Sequence, residues 1–260
     1  MPELTRPDGC RLNYEVHGSP AATALLLLEG SGGDIPGWRR NIPHLSARHL
    51  VIALDSRGNG LSDAPDAPMT MATFVDDALA VVEAVTGDRP HVYGQSFGGM
   101  VALELALTHP DRVRSIVLAA THAGSARASR PGRDANVPKG KRYLALYSEA
   151  FAREHPEHVA DDLRVGAQQP QAPHAGRRQW EAMRAWDRWD DLGRVRVPTL
   201  VLHGTEDRVV AVENARRLSA AIPGARLALL DGAGHVYHSE RADEADRVVL
   251  AFLDEVEEAA

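Results

Sequence analysis

Residues 94–99 have the sequence Gly-Gln-Ser-Phe-Gly-Gly, and the segments on either side of them decide the fold class. Residues 91–93 (His-Val-Tyr) have the character of the end of a buried strand. Residues 100–107 (Met-Val-Ala-Leu-Glu-Leu-Ala-Leu) have the Val, Leu and Ala spacing of a packed helix. A G-x-S-x-G pattern between a strand and a helix is typical of a nucleophile elbow, a tight turn that holds one serine hydroxyl above a sheet.

The residue types inside this turn fit that chemistry. Gly94 and Gly98 leave room where side chains would collide with the sharp bend and the neighbouring strand. The helix that begins at Phe97 directs its free N–H groups and its positive end toward Ser96, where an oxyanion would form. A glycine-rich turn without catalytic chemistry also matches the bare pattern, but the strand and helix around it favour Ser96 as a nucleophile.

Composition indicates one large folded domain, or a core with one insertion. The chain has 260 residues, of which 44% are hydrophobic and 25% charged, and its net charge is −7. This charge argues against a nucleic-acid partner, which normally requires a basic face. The N-terminus lacks an apolar signal core, and no apolar run approaches the length of a membrane span. We expect a cytoplasmic enzyme with a small-molecule substrate and no nucleic-acid or membrane partner; the sequence leaves the oligomeric state open.

Short apolar strands alternate with helices along most of the chain. This pattern predicts an α/β fold with a mostly parallel central sheet and helices on both faces. Residues 12–16 alternate after an Asp-Gly turn and predict an antiparallel edge hairpin. The other predicted strands comprise residues 24–28, 50–54, 91–93, 113–119, 197–202 and 226–230. The predicted helices comprise residues 36–47, 70–85, 97–107, 212–221 and 240–257.

The middle of the chain loses its strand signals. A loop rich in Arg, Gly and Pro at residues 124–138 is followed by predicted helices at 143–154 and 158–165. This change predicts a helical cap insertion at residues 122–194 over a core formed by residues 1–121 and 195–260.

The predicted cap also contains a basic run in an otherwise acidic chain. Its residues are Arg127, Arg130, Arg133, Lys139, Lys141 and Arg142, with Asp134 the only acid among them. A solvated surface explains such a run. The alternative is a cap that offers cationic groups to a substrate with a carboxylate or other acidic group.

A serine hydroxyl needs a general base and a third group that orients this base. His235 follows the predicted strand 226–230 on a glycine-rich loop, at the sheet edge where catalytic loops of open α/β folds collect. Asp207 lies between Ser96 and His235 in the chain and also follows a predicted strand. An ionised carboxylate there would hold His235 in one tautomer. We therefore predict Ser96, Asp207 and His235 as a catalytic triad.

Alternatives exist for both partners of the serine. His238 is the nearest competing histidine, but its place close to the last helix favours a surface or helix-capping role. Asp207 would also serve as a helix cap. Glu206 is chemically suitable, but we expect it to point the other way in a tight loop.

Apart from the predicted cap, the whole chain resembles the α/β-hydrolase fold superfamily, and most of all its group of small esterases, enol-lactonases and cofactor-free haloperoxidases. Four segments, in the order expected for that group, carry the resemblance. They are the D-x-R-G-x-G-x-S segment at 55–62, the elbow at 94–99, the acid loop at 203–210 and the Gly-Ala-Gly-His loop at 232–235. The resemblance implies an α/β-hydrolase core.

One position departs from the family pattern. The family usually has His-Gly after the first parallel strand, where this chain has Glu29 and Gly30. The resemblance implies an oxyanion hole formed by the backbone N–H groups of Ser31 and Phe97, which do not require that histidine. An ionised Glu29 only accepts hydrogen bonds, so we expect it to find a donor such as Arg57. A structural substitution is favoured here over an altered reaction.

Serine at the elbow points to an acyl-enzyme mechanism. The haloalkane dehalogenases and usual epoxide hydrolases of this fold have Asp at that position. We expect a serine hydrolase that cleaves a small or medium carboxylic ester or lactone. The alternatives are perhydrolysis or carbon–carbon cleavage with the same triad, and a non-hydrolytic scaffold that acts as a ligand receptor, lyase or cyclase.

No cofactor and no metal are expected. The turn at residues 30–33 lacks both the G-x-G-x-x-G pattern and the lysine of a phosphate-binding loop. The twelve histidines show no pairing with a carboxylate or cysteine at metal-ligand spacing.

Overall fold

The computed structural model describes residues 2–131 and 142–259, without the Arg142 side chain. Within these ranges one sheet has the strand order β1-β2-β4-β3-β5-β6-β7-β8. The strands are β1 (Glu3–Thr5), β2 (Arg11–His17), β3 (Ala24–Leu28), β4 (Leu50–Leu54), β5 (His91–Gln95), β6 (Ser115–Ala119), β7 (Thr199–Gly204) and β8 (Arg226–Leu230). Strands β3 to β8 are parallel, whereas β1 pairs with β2 and β2 with β4 in antiparallel register. The predicted α/β fold with its antiparallel edge hairpin is confirmed.

Helices flank the sheet and connect its strands. The described α-helices are α1 (Ile42–Ser46), α2 (Met71–Val85), α3 (Phe97–Thr108), α4 (Glu149–Glu154), α5 (Pro156–Gly166), α6 (Pro173–Ala185), α7 (Glu213–Ala221), α8 (Tyr237–Glu240) and α9 (Ala242–Glu258). Among residues 2–131 and 142–259, no helix has both the length and the apolar character needed to cross a membrane.

Alternate residues of the central strands enter two separate cores, one on each face of the sheet. Leu26 of β3 belongs to the core that contains Phe74 of α2. Its neighbour Leu27 belongs to the core that contains Val249 of α9. Because successive side chains of a strand point to opposite faces, a sheet covered on both sides requires continuous apolar runs. This requirement explains why the predicted strands at 24–28 and 50–54 match the structure residue for residue.

Two predicted helices are interrupted in the structure. Residues 36–47 form a 3-10 turn at Ile35–Trp38 and the short α1, each with a proline at its start, where a missing N–H costs least. Residues 240–257 divide between α8 and α9. The break occurs because Arg241 has φ −133° and ψ 43°, outside the helical region.

Between β6 and β7, the described secondary structure is helical apart from one isolated antiparallel bridge between Gly124 and Asp187. It comprises α4, α5, α6 and 3-10 turns at Arg142–Leu146 and Leu192–Arg194, of which α6 was not expected from the sequence. The division into a core and a cap at residues 122–194 stays a prediction. Helix α6 reaches the loop after β3, because Gln179 Oε1 accepts a hydrogen bond from the Ser31 hydroxyl at 2.9 Å.

Candidate active site

Ser96 occupies the turn between β5 and α3, at the carboxyl edge of the sheet. Its φ of 51° and ψ of −110° are unusual for a residue with a side chain. Hydrogen bonds on both sides hold this conformation. The Ser96 N–H donates to the Ala119 carbonyl at 2.8 Å, and the Ser96 carbonyl accepts from Thr121 Oγ1 at 2.6 Å. The surrounding structure therefore maintains the strained backbone of a nucleophile elbow.

Both glycines of the G-x-S-x-G pattern are required by close backbone packing. A Cβ on Gly94 would lie 2.2 Å from the Gly98 carbonyl oxygen. A Cβ on Gly98 would lie 2.1 Å from the carbonyl oxygen of Leu28, at the end of β3. The turn can be this tight only because neither residue has a side chain.

The predicted oxyanion donors, Ser31 and Phe97, lie on segments that adjoin Ser96. Phe97 is the first residue of α3, where an N–H has no acceptor within the helix. A Cβ on Gly30 would lie 3.4 Å from Ser96 Cβ, so the loop that leads to Ser31 passes beside the serine. The structure brings both segments to Ser96, while their contact with a substrate stays a prediction.

Asp207 and His235 form a buried pair on the loops after β7 and β8. His235 Nδ1 lies 2.7 Å from Asp207 Oδ2, and Asp207 Oδ1 accepts the N–H groups of Val209 and Val210, both at 2.8 Å. Burial opposes ionisation of this carboxyl, but the neighbouring His235 and His203 hold the pKa of Asp207 well below its usual range. An ionised carboxylate only accepts hydrogen bonds, so His235 Nδ1 is the donor. The Nε2 of a neutral His235 ring is then left with a lone pair for a proton.

His203 is a further partner of this carboxylate that the sequence pattern does not single out. Its buried Nε2 lies 3.1 Å from Asp207 Oδ2 and 2.9 Å from the Val210 carbonyl oxygen. The competing acid, Glu206, is exposed, in line with the expectation that it points away.

Ser96 and His235 line one cavity of about 550 Å³ at the carboxyl edge of the sheet. Much of its remaining wall is apolar and includes Met100, Leu146 and Met183. The described residues contain no hydrogen bond between Ser96 Oγ and His235 Nε2. Such a contact is often long before substrate binds.

Glu29 also lines this cavity. The prediction that it contacts Arg57 is wrong. Arg57 instead donates to the buried Asp77 and to Asp8. One Glu29 oxygen accepts the Gly30 N–H at 2.8 Å. Its other oxygen contacts a histidine on α8, the helix that follows His235 in the chain.

That histidine is His238, and its expected surface or capping role is also wrong. Only 2% of the His238 side chain is exposed, and its Nε2 lies 3.3 Å from Glu29 Oε1. Its ring also packs on Trp38, with 4.8 Å between the ring centroids. Helix α8 packs against the 3-10 turn that contains Trp38, and this contact buries His238.

The D-x-R-G-x-G-x-S segment braces the loop after β3. Asp55 Oδ1 accepts the Ile35 N–H at 2.8 Å, and Oδ2 accepts the Leu61 N–H at 2.9 Å. Asn59 donates to the Gly33 carbonyl at 2.7 Å. These contacts give the segment a structural role, since they fix the loop that contains Ser31.

His122 is a second cavity histidine that the sequence patterns do not single out. Burial lowers the pKa of its imidazole to about 4, so the ring is neutral near pH 7. Its one available signal was its position just after β6, at the sheet edge where Ser96 and His235 also lie.

The described part of the basic run lies at the surface. Arg127 forms ion pairs with Asp187 and Asp190, Arg130 is exposed, and neither residue belongs to the cavity wall of the described structure. The remaining members, Arg133, Lys139, Lys141 and the Arg142 side chain, lie outside the described residues, as does Asp134. Surface charge accounts for Arg127, and the substrate-binding alternative stays untested for the others.

The fold, the elbow and the cavity together define an enzyme of the α/β-hydrolase type. The sequence model of the alpha/beta hydrolase fold matches residues 23–242. The chain therefore belongs to the α/β-hydrolase fold family.

Relatives with hydrolase names are similar to this chain over nearly their whole length. A Variovorax paradoxus protein assigned as carbamate hydrolase RutD is 34% identical, over 94% of this chain and 97% of that protein. The 2-hydroxymuconate semialdehyde hydrolase of Pseudomonas sp. strain CF600 is 31% identical, over 100% of this chain and 97% of that protein. The enol-lactonase structure from Burkholderia xenovorans LB400 has a TM-score of 0.84 at 27% identity, and covers 97% of this chain and 100% of that one. The chain is a hydrolase of this fold.

Proposed function

We propose that this hydrolase cleaves a small or medium carboxylic ester or lactone through an acyl-enzyme formed on Ser96. The observation that carries the proposal is the buried Asp207–His235 pair, with 2.7 Å between Oδ2 and Nδ1, whose histidine lines the same cavity as Ser96. A base oriented by an ionised acid is what a serine hydroxyl needs to become a nucleophile.

In the first step, Ser96 Oγ attacks the substrate carbonyl carbon and His235 Nε2 takes the serine proton. The carbonyl oxygen becomes an oxyanion, which the N–H groups of Ser31 and Phe97 stabilise. Asp207 stabilises the imidazolium that forms. The carbon–oxygen bond to the leaving group then breaks, and this oxygen takes the proton from His235.

In the second step, water attacks the acyl carbon on Ser96 and gives a proton to His235. The bond to Ser96 Oγ breaks, the serine recovers its proton, and the carboxylic acid leaves. With a lactone, acid and alcohol are released as one molecule. The cavity volume and its apolar wall suit a substrate of small or medium size.

Carbamate hydrolysis is the second candidate, supported by the 34% identical relative assigned as carbamate hydrolase RutD. The same serine chemistry acts on a carbamate carbonyl. The Glu29 carboxylate in the cavity wall offers an acceptor for a carbamate N–H, which an ester lacks.

Labelling with a fluorophosphonate probe tests the serine mechanism. We expect labelling of the wild type and of Ser125→Ala, a control serine in the same cavity wall, but not of Ser96→Ala. Ser96→Ala and His235→Ala should each lower kcat by at least ~10³-fold, with the double variant little worse than either. Near-normal turnover in Ser96→Ala would remove the proposal.

A substrate panel then separates the candidates. The values of kcat/KM for p-nitrophenyl esters, lactones, carbamates and 2-hydroxymuconate semialdehyde are compared on one preparation. Ester and lactone turnover that greatly exceeds the rest supports the main proposal, whereas a preference for carbamates selects the second candidate.

A further inference from the structure

A second cluster of ionisable side chains lies at the opposite edge of the sheet, where the parallel strands begin. His49 immediately precedes β4, His91 is the first residue of β5, and Glu257 lies near the end of α9. These residues are far apart in the chain, so their spacing gives no sign of a common site. Both imidazoles are buried, whereas the Glu257 side chain is 35% exposed and opens the cluster to solvent.

The distances in this cluster approach those of a tetrahedral metal site. Glu257 Oε1 lies 3.3 Å from His91 Nε2 and 3.4 Å from His49 Nε2, and one ligand atom of each residue lies within 4.8 Å of the other two. Zinc bonds of about 2.0–2.1 Å in a tetrahedron put neighbouring ligand atoms roughly 3.4 Å apart. The two carboxylate–imidazole distances already match this value, so only the imidazoles need to approach each other.

A buried hydroxyl fixes the orientation of one imidazole. His91 Nδ1 lies 2.7 Å from Ser115 Oγ, inside the sheet edge. His91 Nε2 is hydrogen-bonded to Glu257 Oε1 at 3.3 Å, a contact that a metal ion would replace. With Nδ1–H donating to the Ser115 hydroxyl, Nε2 would present its lone pair to that ion, which is the arrangement that metal-binding histidines show.

The His49 imidazole has no hydrogen-bond partner for either ring nitrogen within the described structure. Only 2% of the His49 side chain is exposed, and its contact with Glu257 has ion-pair distance without hydrogen-bond geometry. Buried polar atoms are nearly always paired. A metal ion between His49 and Glu257 would give His49 Nε2 a partner.

We propose that His49, His91 and Glu257 bind one Zn²⁺ ion, with water as the fourth ligand. Two imidazoles and one carboxylate suit zinc, whereas Ca²⁺ and Mg²⁺ prefer all-oxygen sets. Arg48 and Arg114 oppose a cation here, and Asp254 offsets the first of them through an ion pair at 2.6 Å. The bound ion joins α9 to the starts of β4 and β5, on the edge away from Ser96, so it stabilises the fold and takes no part in the proposed hydrolysis.

Calorimetric titration of the chelator-treated full chain with Zn²⁺ tests the site. We expect one equivalent to bind and to raise the melting temperature. Glu257→Gln should weaken binding more than ~10-fold, and Ser115→Ala by about 10-fold through the loss of the His91 acceptor. Glu258→Gln is the matched control, since it removes the adjacent exposed carboxylate of α9 and should bind as the wild type does.

The melting temperature without metal shows whether each variant folds. Because Glu257 is partly exposed, Glu257→Gln should melt near the wild type in chelator and lose only the zinc-dependent increase. Absence of stoichiometric binding to the wild type would overturn the proposal. So would equal zinc affinity in Glu257→Gln and Glu258→Gln, because any bound ion would then occupy another place.

Discussion

Glu29 Oε1 lies 3.3 Å from His238 Nε2, and this contact joins Glu29, a residue of the cavity wall on the loop after β3, to helix α8. Both side chains are buried. The second Glu29 oxygen accepts the Gly30 N–H, one residue before Ser31. The pair therefore holds the loop that contains a proposed oxyanion donor, and Glu29 has a structural role at the position where the family usually has histidine.

A double-mutant cycle of Glu29→Ala and His238→Ala should give a coupling free energy of about 1–3 kcal/mol in chemical denaturation. The reason is that either single change leaves a buried polar group without its partner. Glu29→Ala should also lower kcat/KM, because the Ser31 loop loses this support, while Ser96 still reacts with a fluorophosphonate probe.

The more exposed pair Glu15–His17, 2.8 Å apart, is the matched control, with 32% and 36% of the two side chains exposed. Its cycle should give about 0.2–1 kcal/mol, because water competes for these side chains. A coupling for Glu29 and His238 no larger than this control would contradict a structural role for the buried contact.

Asp207→Asn should lower kcat/KM by about 10⁴-fold, because an amide cannot keep His235 in the tautomer with a free Nε2. The adjacent Glu206→Gln changes the same charge on an exposed side chain and should have little effect. The comparison is made by steady-state kinetics with one ester substrate. If Glu206→Gln were the more damaging change, the acid would have to be reassigned.

The sequence predicts best where one local pattern meets one physical requirement. The buried strands at 24–28 and 50–54 are visible because a sheet covered on both faces needs unbroken apolar runs. The segments around Ser96, Asp207 and His235 are visible because parallel strands bring their carboxyl ends to one edge. From these two rules alone, the sequence predicts that all three side chains lie near one another.

Contacts between distant segments leave no comparable pattern. His238 on α8 and Glu29 after β3 are far apart in the chain, and no local pattern marks their contact. His49, His91 and Glu257 are likewise brought together by the sheet order. The prediction that Glu29 binds Arg57 is wrong because the Arg57 guanidinium donates to Asp77 on α2, another contact between separate segments.

Gly98→Ala should destabilise the fold by about 3 kcal/mol or more, although alanine normally favours a helix. Its Cβ would lie 2.1 Å from the Leu28 carbonyl oxygen, a backbone atom of a central strand that cannot move cheaply. Gly166→Ala is the control, at the end of α5, where a Cβ has no neighbour within 4 Å. It should be neutral or stabilise by up to about 1 kcal/mol. Equal urea midpoints for the two variants would contradict the close packing at the elbow.

Asp34→Asn should change how stability depends on pH. Burial, with the nearby Asp55 and Glu29 carboxylates, raises the pKa of Asp34 from 3.8 to about 6. Below pH 4 the carboxyl is protonated in both the folded and unfolded states and costs nothing. Between about pH 4 and pH 6 the unfolded state ionises first, so the free energy of unfolding falls as pH rises. Above pH 6 this loss reaches a plateau of about 2–3 kcal/mol.

The asparagine variant cannot ionise, so its stability should lack this decrease. We therefore expect the difference in unfolding free energy, Asp34→Asn minus wild type, to grow by about 2–3 kcal/mol in favour of the variant between pH 4 and pH 7.5. The Oδ2 atom of Asp34 is buried and has no described hydrogen-bond partner, so an amide at this position changes stability at every pH by the same amount. The measurement is therefore the part of the difference that changes with pH. Asp76→Asn, which removes the same charge from the exposed side of α2, is the control. A difference for Asp34→Asn that changes with pH no more than that of this control would mean that the Asp34 carboxyl ionises in the folded protein as readily as in the unfolded chain.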